Sequence, residues 1–146
     1  MRLLVAVDLN DAANEVLAAA RTWAERLSAV LDVLYVDDHA YNVYLVQDPA
    51  IRSVLEGEWG KIREQQQSRL QELLDAIPLP IRGQALIVTG RPSDEICEAA
   101  KARDAVVLAT HGRRGLSHVL MGSVAERVVR HCPVPVLVVR LPTPAA

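Results

Sequence analysis

Two apolar runs close together in the chain, Ala105–Ala109 and Val134–Val139, constrain the fold more than any other feature. Both are aliphatic and largely β-branched, and no charge interrupts either, as expected of strands covered on both faces. Between them stand Thr110, His111 and Gly112, then nine residues, then Gly122-Ser123. Ser123-Val124-Ala125-Glu126 has the form of a capping box, an oxygen acceptor followed three residues later by Glu. Val124, Val128 and Val129 are the expected apolar side of the helix that follows, and Pro133 and Pro135 end it. The whole stretch reads as strand, glycine-bearing loop, helix, strand.

The preceding chain repeats this alternation. Leu3–Val7 is an apolar strand with Asp8 at its carboxyl edge, and Asn10 or Asp11 can cap the next helix. Val16, Ala20, Trp23, Ala24 and Leu27 give that helix one apolar stripe. Val30–Val36 is a second strand, so the chain opens with a parallel pair and a right-handed crossover. The segment from Asp37 to about Gly60 is the least legible. Tyr41, Tyr44, Leu45 and Val46 are expected to pack as a flap, and Pro49 to open a helix. Ile51, Val54, Leu55, Trp59, Ile62, Leu70, Leu73 and Leu74 recur along that helix, and Gly57 and Gly60 are expected to weaken it or break it in two. Glu64–Glu72 reads as a solvated face. Pro78 and Pro80 stop the helix, and Ile81–Thr89 contains a third strand. Pro92 suits the first position of the next helix, where Asp94 and Glu95 complement the dipole and Ile96, Ala99 and Ala100 face the core. Five strands thus alternate with four helical regions in one domain spanning residues 1–146, and LPTPAA at the end is expected to fray.

Composition excludes several classes. With no Phe, the core must be aliphatic, and 146 residues suffice for one domain. No apolar run approaches the roughly 20 residues of a membrane span, and the N-terminus turns acidic too soon for a signal peptide. Cys97 and Cys132 lack metal-type spacing and are expected to be small, reduced core residues. The expectation is a cytoplasmic protein with no membrane partner. From Lys101 to Arg140 there are seven Lys/Arg against two Asp/Glu, while the remainder holds nine against sixteen. Local basicity in an acidic protein suits a small bound anion and not nucleic acid, which needs a broad basic face.

The loop after Ala105–Ala109 offers such an anion a place. The first N–H groups of a helix lack intrahelical partners, and its dipole adds partial positive charge there. Phosphate suits that position. Gly112 and Gly122 let the backbone approach a ligand closely, and Arg113 and Arg114 add charge. A helix that merely needed a cap, with glycines that only turn the chain, is the alternative at this point.

Other chemistries lack their residues. His39, His111, His118 and His131 form no HxxxH pair, Ser117 and Ser123 stand in no nucleophile elbow, and there is neither a Walker A lysine loop nor a GxGxxG after the first strand. The loop Asp8-Leu9-Asn10-Asp11 also lacks the Ser-Gly-rich phosphate loop of ATP pyrophosphatases, against an adenylating enzyme.

Gly112, nine residues, Gly122-Ser123, a helix and the strand PVLVV together resemble the nucleotide-binding signature of the universal stress protein family. That signature is Gly, two residues, Gly, nine residues, Gly, then Ser or Thr, and Ala109 stands where its first Gly would be. The resemblance covers nearly the whole chain outside 37–60 and implies the family's α/β fold. That fold is a Rossmann-like, five-stranded parallel doubly wound sheet of order 3-2-1-4-5 with helices on both faces. It also implies a stress-response regulator that binds ATP (AMP or ADP as alternatives, Mg2+ as companion ion) in a cleft at the carboxyl ends of strands 1 and 4. Carried over by position, Ala6, Val7, Asp8 and Val36 hold the adenosine end. Leu108, Ala109 and Gly112 approach the ribose and α-phosphate, and Gly122, Ser123 and Val124 donate to the phosphates. Arg113 is a further candidate phosphate contact, an idle exposed arginine being the alternative. No residue is placed as a general base, so any hydrolysis is expected to be slow. A nucleotide-free interaction module and a slow ATPase or phosphotransfer protein remain as alternatives. The last strand, Val136–Val139, lies at an edge in this order, and the resemblance implies a homodimer through it.

Overall fold

The computed structural model describes residues 1–10, 12–110 and 122–141, without the side chains of Ala40 and Tyr41. Five strands form one sheet: β1 (Arg2–Ala6), β2 (Val30–Asp37), β3 (Arg82–Thr89), β4 (Ala105–Thr110) and β5 (Val136–Arg140). All pairings are parallel and the order is β3-β2-β1-β4-β5. The helices are α1 (Ala13–Arg26), α2 (Asp38–Tyr44), α3 (Pro49–Asp75), α4 (Pro92–Ala100) and α5 (Ser123–His131), with a short 3-10 turn at Leu79–Ile81. The chain winds outward from β1 in one direction through β2 and β3, then returns to build β4 and β5 on the other side. The switch point therefore lies between β1 and β4, where open α/β sheets bind ligands.

Strand alternation divides the core into two layers. Leu3, Val5, Leu31 and Val33 face α1 and α3, where they meet Val16, Leu17, Ala20, Leu70, Leu73 and Ile77. Leu4, Leu34, Val36, Val106 and Leu108 face α4 and α5, against Ile96, Ala100, Ala125 and Val128. Helices thus cover both faces, as the uninterrupted apolar strands require. Each fully buried aliphatic side chain contributes on the order of 1.5–3 kcal/mol.

Several local expectations are corrected. Trp23 and Leu27 are exposed, and Ala13 and Leu17 take their places on the buried side of α1. On α5 the buried residues are Ala125 and Val128, while Val124 and Val129 face outward. The capping box does not form: Gly122 is the N-cap, Ser123 is the first helical residue, and no side chain caps the helix. Asn10 does not cap α1 itself, because its Oδ1 accepts from Ala12 N, at 3.0 Å, one position before the helix; Asp11 lies outside the described residues. Leu141, first residue of the supposed frayed tail, is buried.

The segment beyond β2 differs most. Tyr44 and Leu45 are exposed and do not pack as a flap, and Tyr41's packing lies outside the described side chains. Helix α3 runs unbroken for 27 residues through Gly57 and Gly60, although Ile51, Val54, Leu55 and Ile62 of its predicted stripe are exposed. Each glycine costs about 1 kcal/mol relative to alanine, which the helix withstands because it is tied down along its length. Asp48 caps it through Ala50 N and Ile51 N, Trp59 bonds Asp37, and Leu70, Leu73 and Leu74 bury its last turns. Cys97 and Cys132 are free thiols, both half-buried.

Candidate functional site

A cleft of about 700 Å³ crosses the carboxyl edge of the sheet at the switch point, a size ordinary for a small-molecule site. Ala6, Val7 and Asp8 reach it from the end of β1, Val36 from β2, Leu108 and Ala109 from β4, and Gly122, Ser123 and Val124 from the start of α5. Nine of the residues singled out from the sequence thus line one cavity, although they span three strands and a helix. Gly112 and Arg113 lie outside the described residues.

The start of α5 is built to receive a polar group. Glu126 N bonds to Gly122 O at 2.9 Å, which begins the helical ladder and leaves the amides of the first turn outside it. With no side-chain cap, Ser123 and its hydroxyl stay exposed. A Cβ built on Gly122 meets nothing within 4 Å, so the glycine leaves open space at the helix start. The dipole makes this end of the cleft favourable for an anion.

Ala109 is in ordinary strand geometry. It pairs with Val139 across β4 and β5 and is not among the residues with positive φ. Its methyl group therefore takes up space in the cleft wall without straining the backbone. Leu9, by contrast, has φ 33 in the turn after β1 and lines the cleft beside Asp8 and Asn10. A left-handed leucine is a strained residue, held where the surrounding packing over-determines it. Asn10 Nδ2 donates to Asp8 Oδ2 at 3.4 Å.

Sequence reasoning missed the far end of the cleft, where Tyr35 on β2 and Ile62 and Gln66 on α3 contribute. Gln66 sits in the stretch read as solvated; its position four residues before buried Leu70 is the signal that places it on the inward side of the helix. Gln66 Nε2 donates to Tyr35 Oη at 3.2 Å. Burial, followed by the charges of Asp37, Asp38 and Asp8, pushes the Tyr35 phenol up to about 12. This end is acidic where the α5 end is positive. Among the described residues no cluster of three His, Cys, Asp or Glu is placed to hold a metal ion, and no helix is long and apolar enough to cross a membrane.

Comparison with known proteins agrees with this architecture. The sequence profile of the universal stress protein family matches residues 1–140. A universal stress protein of Methanocaldococcus jannaschii is 35% identical over 114 residues, which cover 73% of this chain and 67% of that one. The structure of universal stress protein UspA from Lactobacillus plantarum superposes with a TM-score of 0.69 at 30% identity, over 96% of this chain and 97% of that one. Two more distant structures share the fold and carry ligands. One is a universal stress protein in complex with cAMP, with a TM-score of 0.64 at 20% identity over 96% of both chains. The other, from Archaeoglobus fulgidus, is in complex with dAMP, with a TM-score of 0.60 at 19% identity over 94% of this chain and 96% of that one. By its profile, its relatives and its sheet order, the chain belongs to the universal stress protein family.

Proposed function

We propose that the protein is a stress-response regulator that binds ATP in the cleft at the switch point, with AMP and ADP as weaker alternatives. The observation that carries this reading is the cleft itself: it joins an uncapped helix start, suited to phosphate, to an apolar pocket between β1, β2 and β4. The cAMP and dAMP complexes of structural neighbours support an adenine nucleotide. In this reading Ala6, Val7, Asp8 and Val36 hold the adenosine end, and Leu108 and Ala109 approach the ribose through their backbone. The amides of Ser123 and Val124, the Ser123 hydroxyl and the open space at Gly122 receive the phosphates. Gly112 and Arg113 complete the assignment from the sequence resemblance. Mg2+ enters with the nucleotide. No general base is assigned at the phosphate end, so the role is regulation by binding and any hydrolysis is slow.

The same reading includes a cytoplasmic homodimer joined through β5, with neither nucleic acid nor membrane as a partner. Calorimetric titration with ATP and Mg2+ tests the nucleotide. Saturable heat with one site per chain is expected, and its absence at millimolar ATP, together with no thermal shift, overturns the proposal.

One observation favours a second reading, a nucleotide-free interaction module: the Ala109 methyl lines the cleft where the family signature has glycine. Its unstrained strand geometry removes the conformational objection and leaves only the steric one. Ala109→Gly separates the two. Unchanged ATP affinity means that the methyl is tolerated, and binding seen only in the variant favours the module.

A further inference from the structure

The last turns of α3 are buried on the sheet through Leu70, Leu73 and Leu74, and the helix continues backward past Gln66 and Ile62, both of which line the cleft. It is held there firmly. Trp59 Nε1 donates to the Asp37 carboxylate at 2.9 Å, and the Arg63 guanidinium lies 4.9 Å from the centre of the Trp59 ring. Gln66 is therefore a positioned side chain. Its Nε2 is engaged by Tyr35 Oη, and its Oε1 is buried with no hydrogen-bond partner among the described residues. An unsatisfied buried acceptor is costly, by about 1–3 kcal/mol, and calls for an explanation.

From these contacts, and resting on the nucleotide reading above, we infer that Gln66 and Tyr35 read the base of the nucleotide and select adenine over guanine. Gln66 Oε1 presents an acceptor, and Tyr35 Oη, which accepts from Gln66, keeps its own proton to donate. That pair complements an exocyclic amine beside a ring nitrogen, the edge adenine offers. Guanine sets its O6 carbonyl against the amide oxygen and leaves both protein groups unmatched. The carboxylates of Asp37, Asp38 and Asp8 surround Tyr35 and reinforce the choice. Their negative field keeps the amide nitrogen turned toward Tyr35 and disfavours a ligand carbonyl beside it. The spacing also fits. Tyr35 is on β2 and α5 follows β4, two strand intervals away, about 10 Å, a separation on the scale of a nucleotide from base to phosphates.

Binding of MgATP and MgGTP to the full chain, measured by calorimetry for the wild type, Gln66→Leu and Gln66→Glu, tests the inference. The wild type is expected to prefer ATP by about tenfold or more. Gln66→Leu should lose most of that preference by weakening ATP and relieving the repulsion of guanine O6, while unfolding at a similar temperature. Gln66→Glu keeps an acceptor but removes the amide donor, so Tyr35 turns its proton to the new carboxylate and the preference for ATP should fall. A wild type that prefers GTP overturns the inference, as does a Gln66→Leu or Gln66→Glu protein with the wild-type ratio. A wild type that binds no ATP overturns the proposed function together with it.

Discussion

Trp59 and Asp37 are joined across 22 residues by a 2.9 Å hydrogen bond from the indole Nε1 to a fully buried carboxylate. The bond ties the middle of α3 to the carboxyl end of β2 and so sets how the helix overhangs the cleft. Trp59→Phe keeps an aromatic ring but removes the donor. It is expected to lower stability by about 2 kcal/mol in urea denaturation and to weaken ATP, because α3 is no longer held over the cleft. Unchanged stability would show that the bond contributes nothing net.

At the opposite edge of the sheet a second carboxylate holds the fold together. Asp32, fully buried, receives Arg103 Nε at 3.0 Å, Arg2 at 2.7 Å and Gln84 N at 3.0 Å. Asp32→Asn leaves the largely buried Arg103 charge without its counterion and should destabilise by about 3 kcal/mol. Gly83→Ala should also destabilise, since its Cβ would lie 2.0 Å from Asp32 Oδ1 and 2.7 Å from the Leu31 carbonyl oxygen. Both variants, read by denaturation, should leave nucleotide affinity intact because the network sits at the far end of β2 from the cleft.

Tyr35 gives a pH signature. Its phenol is raised from 10.0 to about 12, chiefly by burial, so the folded state prefers the neutral form. Its contribution to stability is full below pH 10 and is lost as pH rises toward 12. An absorbance titration of phenolate should show a late step that Tyr35→Phe removes. Persistence of that step in the variant would assign it to another tyrosine.

Gly122 separates binding from folding. Its φ is −70 and a Cβ there has open space, so Gly122→Ala should change stability by less than about 1 kcal/mol. The same methyl stands at the α5 end of the cleft, where the proposed function places the phosphates, and should weaken ATP by about tenfold. Wild-type affinity in a folded variant would move the phosphates elsewhere.

The order of the sheet leaves β5 at an edge. Val106 N bonds to Pro135 O and Leu141 N to Thr110 O, so alternate residues, Leu137 and Val139 between them, turn their backbone groups to β4. Val136, Val138 and Arg140 turn theirs to the open edge. Val138→Pro therefore removes an edge donor without touching the internal ladder, and the expected product is a folded monomer. Light scattering that finds a wild-type monomer at micromolar concentration, or a dimeric Val138→Pro protein, rejects the β5 dimer.

The number of strands, the parallel sheet and the two helical faces were legible because doubly buried strands must be uniformly apolar and helices must carry a stripe. Leu3–Val7, Val30–Val36 and Ala105–Ala109 state that requirement locally, and Gly112, Gly122 and Ser123 carry a spacing that a resemblance can read. Other features depended on neighbours remote in sequence. The exposed sides of Trp23, Val124 and Val129 follow from which face each helix turns to the sheet. Helix α3 survives Gly57 and Gly60 through contacts with Asp37 and the sheet, which helix propensity does not contain. Gln66 looks solvated in a glutamine-rich run and lies at the cleft only because α3 crosses above β2. Local physics determined the elements and the glycine spacing ahead of α5, while long-range packing alone decided which side chains the far end of the cleft would receive.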